Sequence, residues 1–147
     1  MSYSIAHIVH LFCAIVFVGG VFFEVLVLSA VHGKQVSRSA RHEVMPVIGK
    51  RVKSFMPWVV VVLFLSGVLM AMRYGAVLSH PFSSAFAWQL SLKILLAFSV
   101  FVHFLIAIVK MKHKTLTKAW SRYIHMSVFV HMIFIVFLAK SMFYFNW

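Results

Sequence analysis

Four apolar runs, at about 3–31, 55–74, 86–109 and 120–144, each have roughly the length that crosses a bilayer core. Nothing else in the chain constrains its fold as strongly. A run of this kind cannot leave backbone N–H and C=O groups bare in lipid, so it must satisfy them internally as a helix. The expected fold is an all-α membrane protein, a four-transmembrane-helix bundle forming one domain over residues 1–147. Composition agrees. With 63% hydrophobic and 11% charged residues, the chain has more apolar surface than a soluble domain of this length could bury.

The formal net charge is +12, and Glu24 and Glu43 are the only acids. A basic balance can point to nucleic acid. Here, however, eleven of the fourteen Lys and Arg residues fall in two short connections. Lys34, Arg38, Arg41, Lys50, Arg51 and Lys53 follow the first run; Lys110, Lys112, Lys114, Lys118 and Arg122 follow the third. That placement marks membrane topology and contact with anionic lipid, and it argues against nucleic acid. Both basic connections are expected on the cytoplasmic side, with both termini opposite, which is the periplasm for a bacterial inner membrane. The N-terminus lacks the basic start and small-residue cleavage pattern of a removable signal, so the first run is expected to stay as a span.

Gly33 ends the first run. Residues 36–53 are expected to form a short interfacial helix, although Pro46 opposes it. The second span is expected to begin near Phe55, with Pro57 in its first turn and Ser66-Gly67 as a close-packing spot. Arg73, Tyr74 and Gly75 end it. Trp88 anchors the third span, and Lys140 with the closing aromatic residues marks the exit of the fourth. No internal repeat is strong enough to use.

The polar residues inside the spans carry the functional reading. In the first span His10, Cys13, Phe17, Gly20 and Glu24 fall on one helical stripe, with His7 about 60° from His10. A polar stripe on a membrane helix faces protein, water or a cofactor. Gly19 and Gly20 leave room for another helix or a flat ligand. Converting position to depth at about 1.5 Å per residue gives two layers. The outer layer holds His7, His10, Cys13 and Lys93, with Arg73 and His80 at its mouth. The inner layer holds Glu24, His103, His125 and His131. His125 and His131 differ by about 120° around their helix, which argues against one metal shared by both. His32, His42, His80 and His113 read as solvated loop residues.

Histidines on facing membrane helices, with small residues for room and aromatic residues to line the ring, are what a haem b site needs. His103 with His131 or His125 is the best bis-His pair by depth. His10 has no facing histidine at its level. His10 and His103 are the first choices as haem-iron ligands, followed by His131 and His125. For each, the competing reading is a histidine that hydrogen-bonds a neighbouring helix. Lys93 could neutralise a propionate or bind an anionic substrate, or could snorkel to the interface. A copper site without haem would use His7, His10 and Cys13, since soft sulfur ligands suit Cu(I).

The stretch from His10 to Phe23, HLFCAIVFVGGVFF, resembles the first helix of the CopD and HemJ superfamily, with a His about ten residues before a small-residue patch, here Phe17-Val18-Gly19-Gly20. Lys93 followed by His103 resembles the Lys and His of the HemJ-type third span, and Arg122 is placed like the Arg opening the last helix. The resemblance implies a four- or five-helix haem b-binding bundle. HemJ-type members oxidise protoporphyrinogen, and CopD-type members are linked to copper uptake or tolerance. The chain departs where the HemJ-type helices carry charged residues, having Leu26 and Met126 there. The expected function is a haem b-binding redox or electron-transfer protein, whose partner would be a quinone or respiratory-chain component. Two alternatives stay open: a HemJ-like oxidase with Lys93 as catalytic residue and a porphyrin substrate, and a copper-handling protein. Assembly as a homo-oligomer is compatible with all three.

Overall fold

The computed structural model describes residues 3–33 and 35–145; the readings placed on Lys34, on the His32 side chain and on the closing Asn146 and Trp147 lie outside what it describes. The chain is all-α, and four of its helices are long and apolar enough to cross a membrane. They fall into two compact units, residues 1–73 and 74–147, each built on one antiparallel helix pair.

In the first unit, helix α1 (Tyr3–Phe22) packs against helix α2 (Arg38–Ala71). Twenty residues at 1.5 Å each give α1 a length of about 30 Å, the thickness of the hydrocarbon core. The first apolar run is longer than that, and its remainder is wound differently. Phe23–Val27 is π-helical and Leu28–His32 is 3-10 helical. The antiparallel register is fixed at three levels: Tyr3 by Arg73, His10 by Ser66 and Gly67, and Gly20 by Met56. Arg41 closes the far end, donating to the carbonyls of Gly33 and Val36 at 2.9 Å each.

The expected break between an interfacial helix at 36–53 and a span beginning near Phe55 is absent. Helix α2 runs unbroken through both Pro46 and Pro57, so Pro57 lies mid-helix and not in a first turn. Each proline deprives the carbonyl four residues earlier of its partner, that of His42 and that of Lys53. Both carbonyls belong to the basic stretch before the apolar part of α2, where water and headgroups can hydrate them. Ser37 starts the helix, its hydroxyl accepting from Ala40 N–H at 3.2 Å. His42 consequently lies on a helix, exposed, and not in a loop.

In the second unit, a single turn, α3 (Gly75–Leu78), precedes helix α4 (Ala85–Lys112), which packs against helix α5 (Lys118–Ser141). Ser84 and Thr117 cap the two long helices through the N–H groups of Ala87 and Trp120. Helix α4 ends in a Schellman turn: Lys114 N–H bonds Met111 O and Thr115 N–H bonds Lys110 O, with Lys114 in the left-handed region at φ 55°. The α4–α5 register is held at both ends. Lys110 Nζ sits 4.3 Å from the Trp120 ring centre, and at the other end buried Ser141 donates to buried Gln89.

Little of either pair is buried. Phe12, Leu95, Phe98 and Phe137 are each 60% exposed or more. In water that would be untenable, but in lipid such side chains lose nothing by facing outward. What holds each pair is therefore close packing at small residues and the few polar groups that cross between helices.

Candidate functional site

The polar stripe of α1 faces α2. Phe17 is buried on it, and Gly20 lies where a Cβ would come within 2.9 Å of Met56 Cε. Gly19 has open space around it, so only one of the two glycines serves close packing here. His10 Nδ1 lies 3.0 Å from the Leu63 carbonyl and 3.2 Å from Ser66 Oγ. A carbonyl can only accept, so Nδ1 carries the proton and donates. Ser66 turns its own hydroxyl to its helix, bonding Val62 O at 2.7 Å. The imidazole reaches this backbone because Gly67 has no side chain: a Cβ there would sit 3.1 Å from His10 Cε1. His7 is exposed and stands 6.1 Å from the Tyr3 ring; Cys13 is half-buried. Among the described residues no three His, Cys, Asp or Glu side chains gather as a metal ion would require, the trio His7, His10 and Cys13 included.

The second pair brings His103 and His131 together, their ring centres 5.7 Å apart at 53°. Each imidazole makes two bonds, and the two sets are reciprocal. His103 Nδ1 donates to Ser99 O of its own helix at 2.8 Å, and His131 Nδ1 donates to Ser127 O at 2.7 Å. In the neutral ring with the proton on Nδ1, each Nε2 is an acceptor. Ser127 Oγ donates to His103 Nε2, and Ser99 Oγ donates to His131 Nε2, each at 3.1 Å. Two hydrogen bonds within the helices and two across their interface thus tie together two serines and two histidines, with all four side chains half-buried. Tyr123 flanks His103 at 6.1 Å.

Reciprocity has a sequence origin. Residues 99–103 and 127–131 are the same pentapeptide, Ser-Val-Phe-Val-His. Two copies on antiparallel helices, in register, place each serine opposite the other copy's histidine. Ser99 and Ser127 were not among the residues that depth and stripe reasoning selects; the identical pentapeptides were the signal that would have found them.

Depth pairs His103 with His131 or His125, and the structure brings together His103 and His131. His125 sits elsewhere on α5, its Nδ1 3.5 Å from Ser121 Oγ one turn earlier. Lys93 lies on α4 eight residues from Ala85, about 12 Å along the helix. It is half-buried and has no hydrogen-bond or ion-pair partner among the described residues. Arg73 is stacked over Tyr3, its Cζ 5.3 Å from the ring centre. Glu24 is half-buried in the π-helical segment that follows α1.

As donors, the imidazoles suit haem iron. A metal-binding histidine usually donates its far N–H to a carbonyl, which fixes the tautomer and leaves the other nitrogen basic. His103 and His131 both have this arrangement. Their Nε2 atoms face serine hydroxyls of the opposite helix and not a common point, so a haem iron held by either imidazole would have to take the place of a serine bond.

These features define a multi-pass, all-α membrane protein whose second helix pair carries a duplicated serine–histidine motif. No family model, curated protein or solved structure matches the chain. The likeness to the CopD and HemJ superfamily therefore rests on the residues already quoted for it.

Proposed function

We propose that this chain is a haem b-binding integral membrane protein of the bacterial inner membrane with an electron-transfer role. The observation that carries the reading is the neighbouring pair His103 and His131, each with Nδ1 donated to a main-chain carbonyl and a basic Nε2 that holds a serine hydroxyl a metal would displace. His10 has the same Nδ1 arrangement against Leu63 and is the third candidate ligand. When bound, haem supplies a one-electron couple within the bilayer. The chain's own part is to hold neutral imidazoles at fixed depth and to keep water from them with the apolar residues around. Electrons would be exchanged with a quinone or a respiratory-chain component. The Lys and Arg asymmetry supports cytoplasmic basic connections and periplasmic termini. The test is the absorption spectrum of protein purified from haem-replete cells. A Soret band with a sharp b-type α band on reduction is expected, lost in His103→Ala or His131→Ala. A colourless preparation carrying stoichiometric copper would overturn the reading in favour of the copper alternative.

Lys93 favours a second reading. An intramembrane ammonium without a partner among the described residues is costly, and such groups mark substrate or ion sites. On this reading the protein is a HemJ-like protoporphyrinogen oxidase in which Lys93 holds a carboxylate of the porphyrin substrate. Leu26 and Met126, where the family has charged residues, place it second.

A further inference from the structure

The second unit carries an open groove of about 660 Å³ that takes no part in the serine–histidine motif. Val102, Leu105, Ile106 and Val109 line its length, spaced on one face of α4. At 1.5 Å per residue this apolar wall extends about 10 Å. It ends at Lys110, His113 and Thr115, which line the groove's mouth.

The mouth is built by the turn that ends α4. The Schellman turn, with Lys114 left-handed, bends the chain back so that Thr115 returns to Lys110 O at 2.9 Å. Lys110 Nζ is held over the Trp120 ring at 4.3 Å, a contact that fixes the ammonium without neutralising it. Lys112, Lys114 and Lys118 follow in the same connection, and neither α4, α5 nor the connection contains an acid. An open apolar groove about half a bilayer leaflet or more in length, ending at a fixed ammonium in a basic turn, is complementary to one class of molecule. It matches an acyl chain joined to an anionic headgroup at the membrane border.

We propose that this groove binds one anionic phospholipid, with an acyl chain against Val102, Ile106 and Val109 and the headgroup phosphate at Lys110, His113 and Thr115. Both parts of the lipid are needed. The groove gives the site its position, and the cations give it preference for negative headgroups.

The experiment uses the full chain in nanodiscs and detergent, with native mass spectrometry to count retained lipids. The probes are phosphatidylcholine alone and phosphatidylcholine with one fifth phosphatidylglycerol. One phosphatidylglycerol should survive detergent exchange and phosphatidylcholine should not. Lys110→Gln should lower the retained fraction roughly fivefold, the loss of one cation near a charged surface. Ile106→Trp fills the groove without changing charge and should lower retention comparably. Lys50→Gln with Arg51→Gln, in the other basic connection, should leave it unchanged. Inorganic phosphate at millimolar concentration should not displace the lipid. The proposal fails if the distant pair of substitutions lowers retention as much as Lys110→Gln, because net charge alone would then be responsible. It fails equally if Ile106→Trp has no effect, or if inorganic phosphate displaces the lipid.

Discussion

Replacing Ser127 by Ala deletes the hydroxyl that donates to His103 Nε2 at 3.1 Å and leaves every other bond of the motif in place. The Ser127 carbonyl still accepts from His131 Nδ1, because that bond uses the backbone. The loss is therefore one cross-helix hydrogen bond. In membrane helices such bonds average about 0.6 kcal/mol and reach about 1.7. His103 Nε2 is left half-buried with no donor, and that moves the expectation to about 1 kcal/mol. Ser99→Ala should cost the same by the symmetry of the motif. Alanine is a better helix former than serine by a few tenths of a kcal/mol, which partly masks both effects. Double-mutant cycles cancel that term. Measured by reversible unfolding in mixed bicelles with increasing sodium dodecyl sulfate, His103→Ala with Ser127→Ala should show a coupling of about 1 kcal/mol. So should His131→Ala with Ser99→Ala. The same-helix pair, His103→Ala with Ser99→Ala, should couple by no more than a few tenths, since His103 uses only the Ser99 carbonyl. Equal coupling for cross-helix and same-helix pairs, or serine substitutions that cost nothing in every background, would refute the reciprocal arrangement.

Two further expectations follow from the first helix pair and from Lys93. Gly67→Ala puts a Cβ 3.1 Å from His10 Cε1, on a ring tied to Leu63 O, and should cost about 1 kcal/mol or more in the same unfolding assay. Gly20→Ala meets only the flexible end of Met56 and should cost less than half of that; the reverse order would mean that His10 is not fixed by α2. If the protein carries electrons, Lys93→Ala should leave the haem spectrum nearly intact, and wild type should not rescue a strain lacking protoporphyrinogen oxidase. Rescue by wild type but not by Lys93→Ala would establish the oxidase reading instead.

The spans were legible in the sequence because lipid imposes a length and a composition on whatever crosses it. The ends were less legible. Nothing in the pattern around Pro46 and Pro57 said that α2 would continue through both, because a proline's cost depends on what hydrates the freed carbonyl. The change from α to π winding at Phe23 left no mark either, since the apolar run continues to Val31. Helix rotation is the harder quantity in a membrane. A lipid-facing residue is as apolar as an interhelical one, so the apolar residues carry no period that reveals the packed face. Only polar and small residues report it. The α1 stripe from His10 to Gly20 indicated the correct face for that reason, and so did Ser66-Gly67 on α2.

The serine–histidine motif shows why depth alone could not complete the site. Depth brought His103 level with the middle of α5 and left two histidines there to choose between. The choice is made by chemistry local to each imidazole. In lipid both ring nitrogens need partners, and a histidine can reach a carbonyl one turn back on its own helix with only one of them. The other must find a donor across the interface. A serine four residues before each histidine meets that need when the facing helix has the same spacing and runs the other way. His131 has Ser127 one turn back and Ser99 across, and His103 has Ser99 and Ser127 in the opposite order. His125 has Ser121 at the same interval, yet α4 carries no second copy of the motif to face it. A serine–histidine spacing is therefore informative here only when it occurs twice, on helices whose connection makes them antiparallel. The short basic turn at 113–117 is that connection, and it sets the register in which the two copies meet.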